Sequence, residues 1–199
     1  MSKSRKVQLE KKIMIFLSSG VFIFSGLYAS NVQAAPVFSS GSASDSTVAG
    51  VNNTASANSS SAFGYFNTAG GLASSAFGWS NTASAENASA FGFSNTASGD
   101  NANAFGYNNI ASGSKSNVFG TGNTVSGSSS TAVGTANEVA AENSTAIGNN
   151  NTISSGAENS AALGNNISIS LKDSVALGNN STACLLYTSD AADDRISVD

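Results

Sequence analysis

The sequence predicts an all-β chain wound as a parallel β-solenoid of about ten coils of 14 residues. Three observations carry this expectation: a glycine that returns at fixed spacing, apolar residues locked to two offsets from it, and very little charge. Gly50, Gly64, Gly78, Gly92, Gly106, Gly120, Gly134 and Gly148 are each 14 residues apart, and Gly164 and Gly178 continue after one step of 16. A period of 14 is too short for helical-hairpin or leucine-rich repeats, which need 20 or more residues. It does accommodate two short strands and two turns. Disorder is the competing reading of a chain so rich in Gly, Ser and Asn, but disorder imposes no phase.

The remaining columns keep step with the glycine. Directly before it stand Phe63, Phe77, Phe91, Phe105, Phe119, Val133, Ile147, Leu163 and Leu177, which the pattern assigns to the core. One position earlier the residue is almost always Ala. The stretches "SAFG" and "NTAS" alternate as strands do, one side chain inward and its neighbours outward. Glycine is expected to end the first strand and turn the chain, because it reaches positive φ without steric cost. Asn stands three residues later in eight coils, from Asn53 to Asn151. It tolerates the left-handed region and can bond its own turn. Five residues after glycine comes a second apolar column, running from Ala55 through Val125 to Ile169. The two extra residues of the 16-residue step fall within "SSGAEN" (154–159), where a loop absorbs them. Coils about 4.8 Å apart stack into a rod of about 48 Å. So thin a roll buries one large side chain per coil, so a further face is expected to be covered by copies of the same chain.

The two ends differ from this body. Lys3, Arg5, Lys6, Lys11 and Lys12 precede an apolar run from Ile13 to Leu27, and "NVQA" then presents small residues before a break between Ala34 and Ala35. That is the layout of a cleaved secretory leader over residues 1–34. The run is shorter than the roughly 20 residues that span a bilayer, and an uncleaved anchor is the alternative. Residues 35–45 read as a short linker and 46–183 as the repeats. At the other end, "CLLYTSDAADD" (184–194) breaks the composition and resembles a translated sequencing adapter, so residues 184–199 are expected to be non-native.

Composition excludes several functions. Net charge is −4, and five of the eight basic residues lie in the first twelve positions. No Lys/Arg cluster is left in the body to displace phosphate counterions, so no nucleic-acid partner is expected. There is no His, and Cys184 is the only cysteine. Disulfide, redox and Cys-metal roles are therefore not expected. No catalytic residue, metal site or cofactor site can be assigned, and the chain reads as a non-enzyme.

Two surface columns are candidate sites. The residue after glycine runs Tyr65, Trp79, Phe93, Tyr107 and then turns polar at Thr121, Thr135, Asn149, Asn165 and Asn179. Four rings on successive coils form a candidate ligand-contact strip, since aromatics carry much interface energy. Simple stacking between coils is the competing reading. A Thr/Ser column (Thr54, Thr68, Thr82, Thr96, Thr124, Thr152) has ice binding as a minor alternative. The acids Glu86, Asp100, Glu138, Glu142 and Glu158 show no shared repeat position on this reading, and no convergent carboxylate pair.

The columns "S-x-A-[apolar]-G-x-x-N-x-A", most clearly "STAIGNNNTISSGAENSAALGNN" (144–166) and "DSVALGNNSTA" (173–183), resemble the YadA-like head repeats of trimeric autotransporter adhesins. The resemblance covers about residues 46–183. It implies a left-handed parallel β-roll, a homotrimer, type V secretion and display at a Gram-negative outer membrane. It also implies attachment to an extracellular-matrix protein, a cell-surface glycan or other bacteria. A neck, coiled-coil stalk and membrane barrel are missing from the sequence and are expected downstream. A structural spacer that promotes self-association is the alternative function.

Overall fold

The computed structural model describes residues 38–181, together with the backbone of Leu185–Leu186. The expected leader, its break at Ala34–Ala35 and the rest of the 184–199 tail, Cys184 included, lie outside the described residues. Ten long strands recur: Thr47–Val51, Ser61–Tyr65, Ser75–Trp79, Ser89–Phe93, Asn103–Tyr107, Asn117–Thr121, Thr131–Thr135, Thr145–Asn149, Ala161–Asn165 and Ser174–Asn179. Each begins one coil, numbered 1 to 10 in that order. Between them lie nine strands of two residues, from Thr54–Ala55 to Ser168–Ile169. Long strands pair with long and short with short, all parallel, so that the chain winds as a roll with two sheets. The register repeats coil for coil, as in Ala90 on Ala104, Phe91 on Phe105 and Gly92 on Gly106. Phe38–Ser40 and Leu185–Leu186 add to the two ends of the long-strand sheet in antiparallel fashion. Such closing strands blunt edges that otherwise template further pairing.

The interior is narrower than the sequence pattern predicts, and this corrects the core assignment. Its lining is Ala62, Ala76, Ala90, Ala104, Val118, Ala132, Ala146 and Ala162, all at 0% exposure, facing the second column of Ala69 to Ile169. A 14-residue circuit with one strand of five and one of two has no room for facing rings. Once the alanine points in, pleating turns its neighbour out. Phe63, Phe77, Phe91 and Phe105 are therefore half-buried on the outside. Phe119, Val133, Ile147, Leu163 and Leu177 are exposed there. The phenylalanines stack on each other, with centroids 4.7, 4.8 and 5.0 Å apart and planes within 7° from Phe63 to Phe105. Phe119 continues the stack at 5.4 Å.

The glycines also differ from expectation. They lie inside the long strands, not at their ends, with φ from +106 at Gly50 to +145 at Gly164. The chain turns two residues later, where Asn52, Phe66, Ser80, Ser94, Asn108 and Ala136 hold φ of 54° to 58°. Phenylalanine and alanine rarely adopt that conformation. Here a bond to the preceding coil holds them, Phe66 N to Val51 O at 3.0 Å and Ala136 N to Thr121 O at 2.9 Å.

The asparagines three residues after glycine do not form the left-handed corner. Asn67, Asn81, Asn95, Asn109, Asn123 and Asn151 are at 0% exposure. From Asn67 to Asn137 each amide bonds the one above and below, and Asn151 Oδ1 accepts from Ile167 N at 3.0 Å. Asn81 Nδ2 donates to Asn67 Oδ1 at 2.9 Å, to Phe77 O at 2.9 Å and to Gly92 O at 2.7 Å. Asn95 N and Nδ2 both donate to Asn81 Oδ1, each at 3.0 Å. An internal amide ladder thus joins coils 1 to 8 and ends where Ile167 replaces asparagine.

A buried serine column, four residues before glycine, is a second and less regular ladder. Ser144 Oγ donates to Ala157 O at 3.2 Å and accepts from Ser160 N at 3.1 Å. Ala88 and Ala102 interrupt the column in coils 4 and 5. On either side of the gap, Ser74 Oγ and Ser116 Oγ are buried without a hydrogen-bond partner among the described residues. A buried hydroxyl left unpaired costs about 1–3 kcal/mol. Ser74→Ala and Ser116→Ala are therefore expected to leave stability unchanged or raise it by up to about 1 kcal/mol. Ser144→Ala, which orphans the Ser160 N–H, is expected to lower it by about 1–2 kcal/mol. Urea-denaturation midpoints decide the order, and a Ser74→Ala protein less stable than Ser144→Ala contradicts it.

Candidate functional site

The long-strand sheet presents two apolar columns outward, separated by the glycine. The first is the Phe63 to Leu177 column. The second is the candidate ligand-contact strip, and the structure does bring its rings together. Tyr65 and Trp79 meet edge to face at 5.2 Å, Trp79 and Phe93 at 5.5 Å with planes tilted 50°, and Phe93 and Tyr107 stack at 5.3 Å and 14°. Phe66 adds an edge contact to Tyr65 at 4.5 Å. Exposure stays high despite this contact, at 40% for Tyr65, 54% for Trp79, 39% for Phe93 and 53% for Tyr107. From coil 6 the same column is polar, and in coils 8 to 10 Asn149, Asn165 and Asn179 bond side chain to side chain at 2.7 Å per step.

The other surfaces offer less. Outward on the short-strand sheet, the threonine column holds register from Thr54 to Thr96, then is broken by Ile110 and again by Glu138. The acids are more ordered than the sequence reading allowed. Glu86, Asp100, Glu142 and Glu158 occupy the same turn position, where each carbonyl accepts from the corner N–H of the next coil at 2.8 to 3.1 Å. That column was missed because it is filled by Asn58, Leu72, Ser114 and Ser128 in other coils, so residue type does not announce it. Among the described residues, no group of His, Cys, Asp or Glu is placed to hold a metal ion.

Comparison with protein families matches the YadA head domain repeat at residues 42–67, 69–95, 97–123, 126–151 and 172–183, together more than half of the chain. The chain belongs to the YadA head domain repeat family. Each of the first four matched stretches covers about two coils, and the extra residues of the 16-residue step, within 154–159, lie in the unmatched segment between 151 and 172. Comparison with curated proteins finds no match. YadA-like heads are trimeric adhesins that bind host surfaces, and the family is non-enzymatic in general. They belong to exported surface autotransporters. Among the described residues, no helix is long and apolar enough to cross a membrane.

For a YadA-like head, the roll accounts for the chemistry of the surface. The interior takes the alanines, the amide ladder and the glycine contacts. What faces outward is two apolar columns on one sheet, small hydroxyls on the other, and few charges.

Proposed function

We propose that this chain is the head of a homotrimeric surface adhesin, built as a left-handed roll and exported behind residues 1–34 to the bacterial outer surface. One observation carries the reading. A continuous outer column from Phe63 to Leu177 is left half-buried or exposed by the single roll, over nine coils. Stacked coils hold such a column in line, and a neighbouring copy of the same chain matches it in pitch layer by layer. Burying it returns about 25 cal/mol for each Å² of apolar surface. Three heads fixed in parallel then multiply weak contacts through effective concentration. The target belongs to one of three classes: an extracellular-matrix protein, a cell-surface glycan or another bacterial cell.

The chain is expected to sediment as a trimer, and Phe91→Asp as a monomer with unchanged far-UV circular dichroism. Phe91 faces out of its own roll, so the substitution spares the fold while placing three carboxylates at one interface layer. A monomeric parent chain removes the proposal. Attachment is tested with the trimer on matrix proteins, glycans and cells, and a trimer that binds none of them is a spacer.

A further inference from the structure

We infer that the Tyr65, Trp79, Phe93 and Tyr107 column is covered by the neighbouring copy, and forms a second seam between chains in coils 2 to 5 that coils 7 to 10 lack. This rests on the trimer reading and adds to it where a foreign ligand does not sit. The first argument is that the two outer columns change together. In coils 2 to 5 phenylalanine before the glycine is accompanied by an aromatic ring after it. Coil 6 is the transition, with Phe119 and Thr121. From coil 7 the pairs become Val133 with Thr135, Ile147 with Asn149, Leu163 with Asn165 and Leu177 with Asn179.

Nothing inside the roll requires that coupling. The interior residue behind both columns is alanine in coils 2 to 5 and again in coils 7 to 10. Nor does the column need rings, since Asn149, Asn165 and Asn179 satisfy it with a ladder of their own in coils 8 to 10. The coupling has a physical cause outside the roll. A phenylalanine layer holds the adjacent copy further off than valine or isoleucine does, opening a gap beside it. Protein contacts are packed to crystal density and gaps of that kind forfeit dispersion. The next outward residue of the same strand is the one placed to fill it.

Size points the same way. Aromatic side chains bury about 150–250 Å² each, so four rings about half exposed offer roughly 300–500 Å². That is short of the about 800 Å² per partner of a stable interface. The rings are too small a patch to stand as an independent protein interface, and the right size to flank the phenylalanine column. Their stacking also covers ring faces, Phe93 on Tyr107 most completely, and leaves chiefly edges to a partner.

Trp79 is the only tryptophan, so the chain carries its own probe. Sedimentation is read first, followed by tryptophan emission and acrylamide quenching of the parent and of Phe91→Asp. The seam predicts a trimer whose emission is blue-shifted and whose quenching is several-fold lower than in the monomeric variant. It also predicts that Tyr107→Ser lowers the temperature of trimer dissociation while Asn165→Ser does not. A trimer in which Trp79 is quenched as readily as in Phe91→Asp overturns the seam and leaves the trimer reading standing. A monomeric parent overturns both.

Discussion

Gly106→Ala is expected to destabilise the roll by at least about 3 kcal/mol, seen as a lower urea midpoint in far-UV circular dichroism. Two costs combine. Gly106 has φ +122, where an L-residue is strained by about 1–3 kcal/mol. The larger cost is contact between coils. A Cβ placed on Gly106 lies 2.1 Å from the Gly120 carbonyl oxygen and 3.0 Å from its carbon. Both atoms are backbone in the next coil, held in register by the strand pairing, so relief requires the coils to part. Gly156 is the control, because nothing lies within 4 Å of a Cβ there. Gly156→Ala is expected to change stability by less than about 0.5 kcal/mol. Equal midpoints for the two variants refute the argument. A loss of this size is a large share of the about 5–15 kcal/mol that holds a domain folded.

Asn95→Ala is expected to cost about 3–5 kcal/mol, because one buried amide serves three coils. Its Nδ2 donates to Phe91 O at 2.9 Å, Gly106 O at 2.7 Å and Asn81 Oδ1 at 3.0 Å. Its Oδ1 accepts from Asn109 N and Asn109 Nδ2, both at 3.1 Å. Alanine leaves the Asn109 N–H and two carbonyls without these partners inside the roll. Thr96→Ala, one residue on and facing outward, is expected to cost less than about 1 kcal/mol. Asn95→Asp tests the ladder by pH. A carboxylate in that place faces three acceptors, so its folded-state pKa is raised and the variant gains stability as pH falls. A urea midpoint for Asn95→Asp that does not rise on acidification excludes the ladder as the cause.

The core assignment and the asparagine assignment failed for related reasons. "SAFG" alternates equally well with alanine inside or with phenylalanine inside, and a shift of one residue exchanges the faces. The larger residue was placed inside, as is right for a domain with two thick layers. Whether a ring fits depends on the perimeter of the coil, and that is set by the two-residue length of the return strand. The asparagines were misplaced similarly. Their turn preference is real, but the left-handed corner falls one residue earlier and is forced even on Phe66. A usable signal was present: the corner column varies freely among Asn, Phe, Ser, Gly and Ala. The column beside it holds asparagine in eight coils, and an unvarying polar column in a stack marks burial.

For this protein, sequence alone determined the period, the number of coils, the phase of the glycine, apolar and asparagine columns and the positions that only glycine fills. Each of these is a local or one-dimensional property, repeated often enough for noise to cancel. The tertiary structure decided which columns face in, which amides bond between coils and which apolar residues remain uncovered. Those depend on distances between residues 14 apart in sequence and about 4.8 Å apart in space, and on the narrow perimeter that two residues of return strand allow.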